Sequence, residues 1–250
     1  MRQSALYREF STYVALNILG SLGLSCYILA DTFFVASRLG ADGLTALNLA
    51  ISIFGLLNGL GMMLGIGGGA RYSIFQAQGM EREANRTFTI AFLTGGALGL
   101  FFALCGLFFA RPLAALLGAE GHILPMCATY LRTALSYAPF FILNQVMTAF
   151  VRNDGNPKLA MAAMLTGSLT NIVLDYVFLY PLDMGIFGAA FATGVAPVVG
   201  LLLSSLHILT GRSRFRLVRE PMRPRHLFSL SALGGAAFLN ECSTSVVLVV

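Results

Sequence analysis

The stretch Thr87–Ala110, TFTIAFLTGGALGLFFALCGLFFA, decides the fold. It holds no charged residue from end to end. An α-helix rises about 1.5 Å per residue, so about 20 apolar residues cross the hydrocarbon core of a bilayer. A helix also satisfies its own backbone hydrogen bonds where no water is present. Five more runs of this kind flank the first: Tyr13–Ala36, Ala46–Ala70, Met126–Phe150, Leu159–Tyr180 and Ile186–Leu209. A seventh begins at Leu227. The connectors between them are short and carry turn residues, as in Arg38-Leu39-Gly40-Ala41-Asp42-Gly43 and Asn153-Asp154-Gly155-Asn156-Pro157, so successive helices are expected to be antiparallel neighbours.

Composition agrees. The 250 residues are 57% hydrophobic and 11% charged, with a mean hydropathy of +0.78. Water-soluble domains carry about 25% charged residues, and so few charges could not cover a soluble surface of this size. The chain is read as an all-α polytopic membrane protein. The net charge of +5 then belongs to loops rather than to nucleic-acid contacts. Of the 16 Lys and Arg, all but Arg38, Arg111 and Arg132 fall on one side of the predicted spans. That asymmetry predicts a cytoplasmic amino terminus. Cys26, Cys105, Cys127 and Cys242 lie in apolar stretches without metal-ligand spacing and read as small packing residues. The first run is too long for a signal-peptide core and has no small-residue cleavage site behind it.

The predicted organisation is a six-helix lobe over residues 1–210, a basic linker over 211–225, and the start of a second lobe over 226–250. The linker, with six arginines, Pro221 and Pro224, is expected to lie at the anionic lipid surface. The last run reaches Val250 with no polar flank, as expected of a fragment.

Three carboxylates lie inside apolar runs: Asp31, Asp175 and Glu241. A charge in hydrocarbon costs about 3 kcal/mol or more, so such residues face the bundle interior and mark function. Asp31 late in the first helix and Asp175 in the fifth can share one depth. Asn171 sits one turn before Asp175, and Thr193 lies near the same level of the sixth helix. Carboxylate, amide and hydroxyl oxygens suit a hard cation such as Na+. Two carboxylates together in low dielectric need a proton or a metal cation between them. Asn17, Tyr27, Asn48, Asn58, Tyr137, Asn144, Gln145 and Thr148 are the other polar residues inside spans, each readable as interhelical glue. Gly55, Gly59, Gly61, Gly65 and Gly67-Gly68-Gly69 in the second helix read as close packing, or as a bending point in gating. Pro139 and Pro197 are expected to kink the fourth and sixth helices.

Ala30-Asp31-Thr32-Phe33-Phe34-Val35 with Leu39-Gly40, Gly65-Ile66-Gly67-Gly68-Gly69-Ala70, Asn153-Asp154-Gly155-Asn156-Pro157, Asn171-Ile172-Val173-Leu174-Asp175-Tyr176 and Gly188-Ala189-Ala190-Phe191-Ala192-Thr193 follow one another in this order. In them the chain resembles the multidrug and toxic compound extrusion (MATE) transporters. The resemblance implies two six-helix lobes around a central cavity, and export of a small molecule in exchange for Na+ or H+. It implies a cation site at Asp31, Asn171, Asp175 and Thr193. Tyr27, Asn144 and the adjoining Gln145 are expected to line the substrate cavity, with Glu241 as the seventh-helix carboxylate of some members. Leu16 and Asn17 stand where many members have a proline, which removes the proline-driven bend of the first helix.

These expectations describe a cation-coupled exporter of amphipathic, cationic molecules and not an enzyme. No cofactor is expected beyond the coupling ion. The expected partners are the substrate, membrane lipid and the carboxy-terminal lobe of the same chain; the complete protein is expected to be a monomer in a bacterial inner membrane. A lipid-linked saccharide flippase is the alternative; it would line its cavity with basic residues, for which Arg132 is the candidate. An intramembrane aspartyl protease fits less well, because Leu174 precedes Asp175 and Ile28-Leu29-Ala30 precede Asp31.

Overall fold

A computed structural model describes residues 2–219 and 224–249. Among them there is no strand, and seven helices follow in order: α1 (Arg2–Ala77), α2 (Glu81–Leu116), α3 (Ile123–Ser136), α4 (Ala138–Asn153), α5 (Pro157–Leu179), α6 (Gly185–Leu209) and α7 (Pro224–Val249). The side chains of Leu16 and Asn17, and linker residues 220–223, lie outside the described residues.

Helix α1 contains both of the first two predicted spans. Where the sequence suggests a loop, one residue turns the corner: Gly40, at φ 66° and ψ −156°, joins two arms that are helical on either side. That backbone region is open to glycine almost alone. The stretch Ile18–Ala77 is 60 residues of apolar helix, about 90 Å if straight, so it crosses the bilayer twice. Helices α2, α5 and α6 are each long and apolar enough to cross once.

The fourth predicted span is broken. Helices α3 and α4 meet at Tyr137 with a bend of 46°, and Pro139 stands in the first turn of α4. Proline removes a donor and clashes with the carbonyl four residues back, so the expected kink is a full break. The same effect explains the non-helical Phe109 (φ −122°) in α2, three residues before Pro112. Pro197 differs: α6 runs through it with no non-helical residue.

Close approach of backbones holds the bundle together, as expected where lipid supplies no hydrophobic drive between helices. A Cβ on Gly67 would collide with the Leu230 carbonyl of α7, and one on Gly68 would lie 2.9 Å from the Phe150 ring of α4. One on Gly69 would lie 2.6 Å from the Asn153 amide. The triple glycine is therefore a packing junction within an unbroken helical arm. Helix α7 docks along the second arm of α1, where Gly234 meets the Met63 carbonyl.

Two apolar cores form. One gathers Tyr72, Phe88, Phe150 and Phe215 toward the side of the arginine-rich loops, hereafter the basic side. The other gathers Val35, Tyr130, Leu131 and Leu179 toward the opposite side. The linker is anchored to the lobe: Phe215 is fully buried in the first core, while Arg212, Arg214 and Arg216 on either side of it stay exposed.

Candidate functional site: a buried carboxylate pair behind a cavity

The buried positions of α5 are Ala160, Ala163, Gly167, Asn171, Asp175 and Leu179. They recur every three or four residues, which is one stripe of a helix. The small residues at its start let α6 come close; a Cβ on Gly167 would stand 3.1 Å from the Ala196 carbonyl oxygen. That approach carries Asn171 onto Thr193. From the other side the first arm of α1 brings Asp31, one turn beyond Tyr27.

The four expected residues therefore meet. Asp175 and Asn171 are fully buried, and Asp31 and Thr193 are each 7% exposed. The carboxyl groups of Asp31 and Asp175 lie within hydrogen-bonding reach of each other. With the Asn171 amide oriented so that both its ends find partners, its nitrogen donates to Asp175 Oδ2 at 3.1 Å and its oxygen accepts from the Thr193 backbone N–H at 3.3 Å. The Thr193 hydroxyl donates to the Ala189 carbonyl at 3.0 Å. Among the described residues, Asp31 Oδ1 and Asp175 Oδ1 accept no hydrogen bond. Two carboxyls this near each other cannot both carry charge in this setting without a cation or a shared proton. The oxygen-only donor set suits a hard monovalent cation or a proton. Among the described residues, no group of three or more His, Cys, Asp and Glu is placed to hold a metal ion.

Tyr130 joins the site from α3 and nothing in the sequence singles it out. Its ring is fully buried, packed edge-on to Phe54 at 5.9 Å, and its hydroxyl lies near Thr193 and within electrostatic range of Asp31 and Asp175. It is one tyrosine among eight, and only the turn of α3 against α1 and α6 reveals its place.

A cavity of about 360 Å³ adjoins this cluster. Tyr27, Asn144, Gln145 and Glu241 line it, and so do Asn171 and Thr193. The two aspartates stand one layer behind the wall that Asn171 and Thr193 form. Gln145 Nε2 donates to Asn58 Oδ1 at 3.4 Å across the cavity floor.

Among the described residues, the basic one that lines the cavity is Arg152, not Arg132. Arg132 is on the exposed face of α3, whereas Arg152 lines the cavity and points its guanidinium at the Met164 sulfur, 3.5 Å away. The reason is register. Phe141, Asn144, Gln145, Thr148, Ala149 and Arg152 occupy one face of α4 at helical spacing, so the last turn delivers Arg152 to the same wall.

Comparisons with known proteins agree with this architecture. The MatE family model matches residues 17–177. The multidrug export protein MepA of Staphylococcus saprophyticus is 29% identical over 241 residues, covering 95% of this chain and 53% of that protein. MepA of Staphylococcus aureus is 29% identical, covering 83% and 46%. Among solved structures, a MOP superfamily transporter from Pyrococcus furiosus, described as having a binding pocket of reverse polarity, superposes with a TM-score of 0.83 at 27% identity. The outward-facing conformation of a multidrug resistance MATE family transporter gives the same score and identity. Each of these two alignments covers 94% of this chain and 53% of the other. The chain thus spans about half the length of the relatives it matches. An all-helical membrane bundle with a family match over most of its length leaves one assignment: the chain belongs to the MatE family.

Proposed function

We propose that the full-length protein containing this chain is a cation-coupled antiporter that exports amphipathic, cationic small molecules from a bacterial cell, with its amino terminus in the cytoplasm. The observation that carries this reading is the shared wall. Asn171 and Thr193 face the carboxylate pair on one side and the cavity on the other. A Na+ ion or proton arriving from outside joins Asp31 and Asp175 and neutralises their repulsion. The hydrogen bonds of Asn171 then rearrange, and because its side chain is also cavity lining, the substrate's surroundings change with it. That is a differential affinity between two states, the requirement for coupling.

The cavity suits such a cargo. Its volume falls within the range of small-molecule sites. Tyr27 and Phe141 supply aromatic faces and Glu241 a carboxylate, which together attract an organic cation. The matched relatives named as multidrug export proteins support the same reading. Arg152 is the feature that favours the flippase alternative, since a guanidinium would meet a phosphate. Among the described lining residues, one arginine with Glu241 and several amides does not make a basic cavity.

The test is efflux of a fluorescent organic cation from cells expressing the full-length protein, wild type beside Asp175→Asn, with and without sodium. Efflux abolished by the substitution supports the coupled exporter, and its sodium dependence names the ion. Absence of efflux by well-expressed wild type would move the assignment to the flippase.

A further inference from the structure

A second cluster of buried polar side chains lies at the basic end of the lobe. Asp154, in the Asn153-Asp154-Gly155-Asn156-Pro157 turn, has a side chain 1% exposed, and that of His207 on α6 is 3% exposed. The Tyr72 hydroxyl donates to Asp154 Oδ1. His207 Nε2 stands 2.9 Å from Asp154 Oδ2, and the Asn156 amide stands 3.4 Å from His207 Nδ1. A third donor to the same carboxylate is the backbone N–H of Arg214, 2.9 Å from Oδ2. That donor belongs to the linker.

The linker continues in the same manner. The Arg216 N–H donates to Asn85 Oδ1 at 2.8 Å, and the Val218 N–H donates to Thr89 Oγ1 at 3.0 Å. Side chains of the lobe thus take every second N–H of an extended segment. Between the first two, Phe215 inserts its ring among Phe88 (4.4 Å), Phe150 (5.8 Å), His207 (5.9 Å) and Tyr72 (6.0 Å). Nothing in the proposed coupling site uses these residues, yet they bury an acid, a histidine and a tyrosine to hold a stretch of linker.

We infer that Asp154 is a positioning residue that latches residues 213–218 to the lobe and so limits how far the two lobes part on the basic side. Between Leu209 and Pro224 the sequence provides 14 residues, enough for about 50 Å of extended chain. With the latch closed only the five residues after Val218 are left, a reach of about 18 Å. The start of α7 is thereby tethered close to α2 and α6. Release of the latch roughly triples the available tether. The link to transport rate rests on the proposed antiporter reading; the tether itself does not.

Full-length protein in detergent, with native cysteines replaced, provides the test. Trypsin cleavage after Arg214 and Arg216 is expected to be slow in wild type and roughly tenfold or more faster in Asp154→Ala and in Phe215→Ala, since proteolysis follows the open population. Asp154→Asn, which keeps an acceptor for the Arg214 N–H, is expected to cleave at an intermediate rate. Spin labels on the basic ends of the two lobes are expected to show a longer maximum separation in the released variants. Transport altered by Asp154→Ala is expected to return when a thiol cross-link joins Thr89→Cys to Val218→Cys. Unchanged cleavage in folded Phe215→Ala, or an unchanged lobe separation, overturns the latch. A transport defect that the cross-link leaves in place reduces Asp154 to a folding role. Should the protein transport nothing, the cleavage and distance arms still decide the tether.

Discussion

Asn171 joins two compartments: its amide, in the orientation that gives both its ends a partner, donates to Asp175 Oδ2 at 3.1 Å, and the same side chain forms part of the cavity wall. A hydrogen bond to a charged group is worth about 1.5–3 kcal/mol, enough to carry a useful coupling energy between two sites. Asn171→Ala is therefore expected to cut cation-driven transport by roughly tenfold or more while equilibrium substrate binding changes by only about threefold, since the residue is one wall element among many. Binding and flux measured on the same reconstituted protein check this. Equal losses in both would show Asn171 to be a substrate contact alone.

In the proposed cycle Asp31 and Asp175 act as one unit, because their carboxyls lie within hydrogen-bonding reach of each other. Interacting pairs give non-additive effects. Each single Asn substitution is expected to abolish coupled transport, and the double substitution to add nothing further in flux or in ion dependence. Two independent, multiplying defects in a double-mutant cycle would argue against a shared ion or proton.

Arg152 and Arg132 should separate cleanly. Arg152→Gln alters the cavity wall and is expected to shift the relative transport of cationic and anionic substrates by about an order of magnitude. Arg132→Gln, on an exposed face of α3, is expected to leave that ratio unchanged. Competition assays with matched charged congeners measure it.

Gly40 has no neighbour within 4 Å of an added Cβ, yet its φ of 66° with ψ of −156° excludes other residues. Gly40→Ala is expected to destabilise the bundle by about 1–3 kcal/mol through backbone strain alone. Gly96 in α2 also has open space around an added Cβ but an ordinary helical backbone, so Gly96→Ala is expected to be neutral or stabilising. The chain has no tryptophan, and circular-dichroism melts in detergent are the suitable readout.

Much of this was legible in sequence, for physical reasons that also mark where reading stops. Spans follow from hydropathy, because lipid admits helices of fixed length. Asp31, Asn171, Asp175 and Thr193 stand out because polar groups are costly in hydrocarbon, and the helical period puts Asn171 and Asp175 on one face. Gly40 reads as part of a loop in the sequence, because composition marks turns without showing that a single residue suffices. Arg152 counts in the sequence as one of the basic residues on the predicted cytoplasmic side, although the spacing from Asn144 and Thr148 places it on the cavity face of α4. Tyr130 and the burial of Phe215 depend on contacts distant in sequence, which local pattern does not carry. Asp154 is an acid in a turn, where a solvated carboxylate is the ordinary expectation; only the fold shows it enclosed by Tyr72, His207 and the linker.

The most direct measurement is substrate movement in proteoliposomes of the full-length protein under an imposed inward gradient of Na+ or of H+, wild type beside Asp175→Asn. The account predicts uphill substrate movement in wild type that follows one of the two gradients and vanishes in Asp175→Asn. Uphill movement that persists in Asp175→Asn, with the same ion dependence, would contradict it.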